Sequence, residues 1–112
     1  FWAHHKYSIM AKGYQYYKEI QSFMKNKQNF PIQQEGELIL KIQNYMNFNF
    51  AEKALENTMH HLWGYFKKEV TSEEKVYFFN IWDSITKLKF LFTLAKKYQK
   101  TYLLHSTIFA DH

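Results

Sequence analysis

Residues 54–68 read ALENTMHHLWGYFKK, and this stretch decides the fold. On a wheel of roughly 100° per residue, Leu55, Met59, Leu62 and Phe66 fall within one narrow sector. Asn57, His61, Gly64 and Lys68 fall within a second sector diametrically opposite. The pattern predicts an amphipathic helix over about 51–70. Gly64 then stands inside that helix, where glycine costs about 0.8–1.0 kcal/mol relative to alanine. Two readings account for it. In the packing reading, Gly64 admits another helix or an aromatic ring, and Asn57 and His61 satisfy nearby backbone groups. In the binding reading, Gly64 is the floor of a polar pocket. Asn57 and His61 then offer directional hydrogen bonds, and Lys67 or Lys68 attracts an anion. Imidazole suits such a site because its ordinary pKa of about 6.5 lets it donate, accept or shuttle a proton. The two histidines part company: His61 lies on the polar face, while His60 points elsewhere, toward solvent.

The flanking segments carry the same helical period. Residues 1–12 place Trp2, Lys6, Ile9 and Met10 on one side, and Gly13 stops or kinks the helix. Residues 14–26 continue with Tyr16, Ile20, Phe23 and Met24. Asn29-Phe30-Pro31 marks a break, since the residue before proline is pushed out of the helical region. Leu38, Ile39, Ile42, Tyr45 and Met46 then define a helix over 32–46, followed by a connector at 47–50. Ser72 reads as an N-cap with Lys75 at the box position, a partial capping signal, and Val76, Phe79, Trp82 and Ile85 follow on one face. A last helix spans about 88–109, with Leu91, Leu94, Tyr98, Tyr102 and Leu103.

With only three Gly and one Pro, the chain lacks the turn chemistry of a many-stranded sandwich or barrel. The expectation is one all-α domain over 1–112, a compact bundle of about five to six helices. No internal repeat, low-complexity tract or interdomain linker interrupts it.

Composition and motifs exclude several functions. There is no cysteine, so disulfides, thiolate zinc sites, cysteine nucleophiles and cysteine-held iron–sulfur clusters are ruled out within this chain. The absence fits a cytoplasmic protein. The net charge of +5 favours nucleic acid or another anionic partner, though the lysines are scattered rather than clustered. No apolar run approaches the roughly 20 residues that cross a bilayer, so no membrane partner is expected. The chain starts at Phe1 rather than Met, and its first residues carry no signal-peptide pattern. Adjacent histidines point roughly 100° apart, so neither His4–His5 nor His60–His61 chelates by itself. Glu52, Glu56 and His60 share a face but lack the Glu-x-x-His spacing of di-iron bundles, and no metal site is assigned. No serine sits in a G-x-S-x-G elbow, and no phosphate loop or dinucleotide fingerprint occurs. No cofactor is expected.

The central stretch, read as NTMHHLWGYFKK, resembles the signature of the YbgA-like family, a bacterial domain of unknown function. That signature runs Asn-x-Leu-x-His-x-x-Gly-Tyr-Phe-Lys. Asn57, Met59 (for Leu), His61, Gly64, Tyr65, Phe66 and Lys67 fit it. The opening FWAHHKYSIMA is similar to the family's start, Phe-x-x-x-His-Lys-Tyr-x-x-Met-Ala, through Phe1, His5, Lys6, Tyr7, Met10 and Ala11, and Tyr17 fits the tyrosine that follows. The close, Tyr-Leu-x-x-Gln-x-Tyr-Leu-x-Pro-His, is matched by Tyr102, Leu103 and His112. Ser106, Ile108 and Asp111 depart from it. The resemblance implies domains that occur alone or fused behind a cysteine-bearing domain linked to thiouracil desulfuration, so a desulfurase-type domain is an expected partner.

The site expected from these residues joins His5, Lys6 and Tyr7 of the first helix to Asn57, His61, Gly64, Tyr65 and Lys67 of the fourth. Its first reading is a binding or accessory module with a polar pocket for a nucleobase, nucleotide or RNA. Its second is a small hydrolase or transferase with His61 as general acid or base and Lys6 or Lys67 steadying an anion. A third reading is a purely structural, partner-binding helical domain.

Overall fold

The computed structural model of the protein describes residues 1–25 and 32–110. Among them every regular element is helical: α1 (Trp2–Lys12), α2 (Tyr14–Lys25), α3 (Ile32–Met46), α4 (Glu52–Trp63), α5 (Ser72–Asn80), α6 (Ser84–Lys97) and α7 (Thr101–Leu104), then a 3-10 turn at Thr107–Phe109. The all-α expectation holds, with more helices than the five to six expected. The break at Asn29–Pro31 and the terminal Asp111 and His112 lie outside the described residues.

Helix α1 organises the rest, because five consecutive residues, Tyr7 to Ala11, are buried, which covers all sides of the helix there. Tyr7, Met10 and Ala11 join the main core of α4, α6 and the C-terminal turns. Ile9 points the other way, into a smaller cluster with Ile20, Leu38 and Ile42 that Trp2 also packs against. The stripe expected on α1 is thus divided between two cores rather than buried on one side. The second cluster joins α1 to α2 and α3 in a molecule of 49 × 25 × 21 Å. Gly13 has a local reason: a Cβ there would lie 2.8 Å from the Tyr16 ring, which stacks on Tyr45.

Three boundaries differ from expectation. Helix α4 stops at Trp63 instead of running to about 70. The amides of Gly64, Tyr65 and Phe66 donate to the carbonyls three residues back, at 3.1, 3.0 and 2.9 Å, which tightens the chain into a 3-10-like turn. Gly64 therefore caps the helix rather than interrupting it. The N-cap of α5 is Thr71, not Ser72. The Thr71 hydroxyl accepts from the Glu74 amide at 3.1 Å, and the Glu74 carboxylate accepts from the Thr71 amide at 2.9 Å, a complete capping box. The helix expected over 88–109 is broken at Gln99, whose φ of 55° is left-handed. Lys100 and Gln99 donate to the carbonyls of Ala95 and Lys96 at 2.9 and 3.3 Å, closing a Schellman motif without its usual glycine.

A fourth difference concerns packing. Leu55, Met59, Leu62 and Phe66 are buried as expected. The stripe of Val76, Phe79, Trp82 and Ile85 is not: all four are exposed, Trp82 at 93%. Phe78 is the α5 residue that reaches the core, where its ring stacks on Trp63 at 4.4 Å and 8°. Among the described residues no helix is long and apolar enough to cross a membrane.

Candidate binding site

Successive residues on α1 point about 100° apart, so His5, Lys6 and Tyr7 face three different neighbours. Tyr7 turns toward the end of α4. Its ring lies 5.8 Å from His61 and meets Tyr65 edge-on at 6.2 Å, and the Tyr7 and Tyr65 hydroxyls share a hydrogen bond. Burial, and then that bond, push the Tyr7 pKa far above the usual phenol value, so it stays neutral. The turn after α4 makes this meeting possible: it buries Phe66 while leaving Tyr65 on the surface above Tyr7.

Lys6 turns toward α7. Its ammonium sits 5.2 Å from the Tyr7 ring centroid and 5.6 Å from that of Tyr102, within cation–π range of both. Burial works against its charge. The Tyr102 hydroxyl, followed by the phenols of Tyr65 and Tyr17, outweighs burial and raises its pKa above the ordinary lysine value.

His5 turns to the C-terminal 3-10 turn, where its Nδ1 lies 3.1 Å from Thr107 Oγ1. Thr107 donates its single hydroxyl proton to the His4 carbonyl at 3.0 Å, so it accepts from the buried Ser8 hydroxyl at 2.7 Å and from His5 Nδ1–H. His4 Nδ1 in turn donates to the His105 carbonyl at 3.0 Å. Neutral His4 and His5 thus both carry their proton on Nδ1. Burial, then His4, lower the His5 pKa. This network fastens the C-terminal turn to α1.

The structure therefore brings Lys6, Tyr7, His61 and Tyr65 together and sends His5 to a different neighbour. Asn57, Gly64 and Lys67 are exposed, and neither Asn57 nor Lys67 makes a side-chain hydrogen bond among the described residues. At Gly64 the backbone is ordinary helix, with φ −55°, and an added Cβ would meet only the His61 carbonyl oxygen at 3.1 Å. Among the described residues no other element packs against it, so the packing reading of this glycine loses its support.

Concavity is modest here. A cleft of about 180 Å³, lined by Ala3, His4, Tyr102 and His105, adjoins Lys6 through the shared Tyr102. Larger grooves of about 470 and 440 Å³ lie on α5, and one of about 320 Å³ lies beside Phe50 and Asp83. Among the described residues no three carboxylate or imidazole side chains converge on a possible metal position. His4, His105 and Thr107 were not in the expected site. Tyr102 had one sequence signal, its place in the closing motif, and the others had none.

Comparison with known proteins adds one match. A family model described as a protein of unknown function (DUF1722) matches residues 6–112. No curated protein and no solved structure matches the chain.

Proposed function

The chain belongs to this DUF1722 family of unknown function, and from that premise we propose that it is a binding or accessory module. Its ligand is a nucleotide or RNA segment, held by its phosphate at Lys6 and by its base on the neighbouring aromatic side chains. The observation that carries the reading is the Lys6 ammonium, kept charged between the Tyr7 and Tyr102 rings. Exposed Tyr65 and His61 stand beside it, and a 180 Å³ cleft opens past Tyr102. A cation supplies phosphate affinity, and stacking on an aromatic side chain contributes about 1–3 kcal/mol per base. Exposed Asn57 and Lys67 and the bare backbone at Gly64 extend the same surface along α4. The net charge of +5 favours such a ligand at long range.

The alternative, catalysis by His61, has less behind it. His61 makes no side-chain hydrogen bond among the described residues, and its contact with the Tyr7 ring neither sets it as a base nor pairs it with a nucleophile. As an accessory module in a bacterial cytoplasm, the domain supplies binding, and a desulfurase-type partner carries the chemistry that a cysteine-free chain cannot.

The test is a titration of the ¹⁵N-labelled protein at low salt with nucleoside monophosphates and with a short single-stranded RNA. Saturable amide shifts are expected around Lys6, Tyr65 and Tyr102. Lys6→Ala should weaken them by about tenfold or more, the value of a charge-assisted phosphate contact. Unchanged amide shifts with every ligand would remove the reading.

A further inference from the structure

Helix α5 is inside out. Phe78 is its single buried residue, Phe79 lies half exposed against Trp63 and His60, and Val76 and Tyr77 face outward, with the 93% exposed Trp82 following in the connector to α6. Two adjoining grooves of about 470 and 440 Å³ open on this side, and both are walled by Glu73 and Tyr77. The second reaches Phe90 of α6, whose ring meets Tyr77 edge-on at 4.7 Å. Local interactions do not need this outward face. The capping box holds the start of the helix and Phe78 holds its middle. An exposed aromatic and aliphatic patch of this extent marks an interaction surface.

Charge selects the occupant. The neighbouring carboxylate, Glu74, is already engaged by Lys97 at 2.7 Å, by Tyr98 at 2.5 Å and by the Thr71 amide. Glu73 forms no ion pair among the described residues and stands at the rim of both grooves. The apolar face of α5 is therefore edged by a carboxylate that forms no ion pair among the described residues. An exposed carboxylate without an ion pair complements a lysine or arginine on a partner. We infer that α5 docks an amphipathic, basic protein segment, which lays apolar side chains along Val76, Tyr77 and Phe90 and a lysine or arginine against Glu73.

The probe is a synthetic helical peptide of leucine and lysine, set against a peptide with the same leucines in which every lysine is glutamate. Binding is read from amide shifts over 72–80 and at Phe90. The emission of Trp82, assigned with a Trp82→Phe variant, gives a second reading. The lysine peptide should bind and shift Trp82 to the blue, with the glutamate peptide about tenfold weaker. Glu73→Lys should reverse that preference, and Val76→Asp should abolish binding of both, with the circular dichroism of each variant unchanged. Three results would overturn the inference. They are no binding of either peptide, equal binding that Glu73→Lys leaves unmoved, and a Trp82 shift that follows protein concentration alone, which would make the occupant a second copy of the chain.

Discussion

Helices α4 and α5 look alike in sequence and are held by opposite means. Each carries an apolar stripe at helical spacing. In α4 the stripe is buried, and the helix has no side-chain N-cap at Ala51. The stripe of Val76, Phe79, Trp82 and Ile85 is exposed and outruns α5, which ends at Asn80, and that helix begins with a complete capping box whose carboxylate is tied to Lys97 and Tyr98. Tertiary burial makes a cap unnecessary in the first case. Local chemistry, anchored by one buried phenylalanine, makes burial of the stripe unnecessary in the second. Amphipathic period therefore identifies helices reliably, but it does not say which apolar face has a partner within the chain.

The largest test of this contrast is Met59→Ala, which removes a fully buried side chain from the α4 stripe. It should lower unfolding free energy by about 2–5 kcal/mol in urea denaturation. Trp82→Ser on the exposed side should stay within about 0.5 kcal/mol of the parent. Comparable losses from the two would erase the distinction.

A middle-sized effect is expected at the cap. Thr71→Ala should cost about 1 kcal/mol and increase amide exchange in α5 well before α4. Acid should act at the same place. Lys97, then Tyr98 and the Thr71 amide, hold the Glu74 pKa at about 2 against an ordinary 4.5. A carboxylate whose pKa falls on folding stabilises above its unfolded value and loses that contribution as pH drops toward the folded one. The Glu74 share of α5 stability should therefore be complete above about pH 4.5 and fade down to about pH 2. Glu74→Gln should flatten that part of the profile. An unchanged profile would show that the box does not hold the helix.

The smallest effect is expected at Gly64→Ala. With helical φ and only the His61 carbonyl nearby, alanine's better helix propensity roughly offsets the tight contact. Stability should stay within about 0.5 kcal/mol. A loss several times larger would mean that something packs on this surface after all.

Much of the fold was legible in the chain. The period of Leu55, Met59, Leu62 and Phe66 marked a core helix, and those four side chains are buried. Ile20, Leu38 and Ile42 were equally readable. Helix ends were less so. Gln99 takes a left-handed conformation that glycine usually signals, and Thr71 rather than Ser72 forms the cap because Glu74, three residues on, can return the hydrogen bond. The candidate site was legible in part. Lys6, Tyr7, His61 and Tyr65 do meet, whereas His5, adjacent in sequence, is carried 100° round α1 to Thr107.

Residue content and spacing are enough to make the chain helical, cysteine-free and basic, and to set an apolar face of the 54–68 stretch against a polar one. These properties follow from composition and from a period of 3.6, which neighbours in sequence enforce. Long-range packing is what makes Gly64 end a helix instead of interrupting one, divides the apolar residues of α1 between two cores, and leaves the stripe from Val76 to Ile85 outside. Each of those depends on which surfaces meet across long stretches of chain: Phe78 stacks on Trp63 and Phe79 meets its edge, while Val76, equally apolar, is left outside.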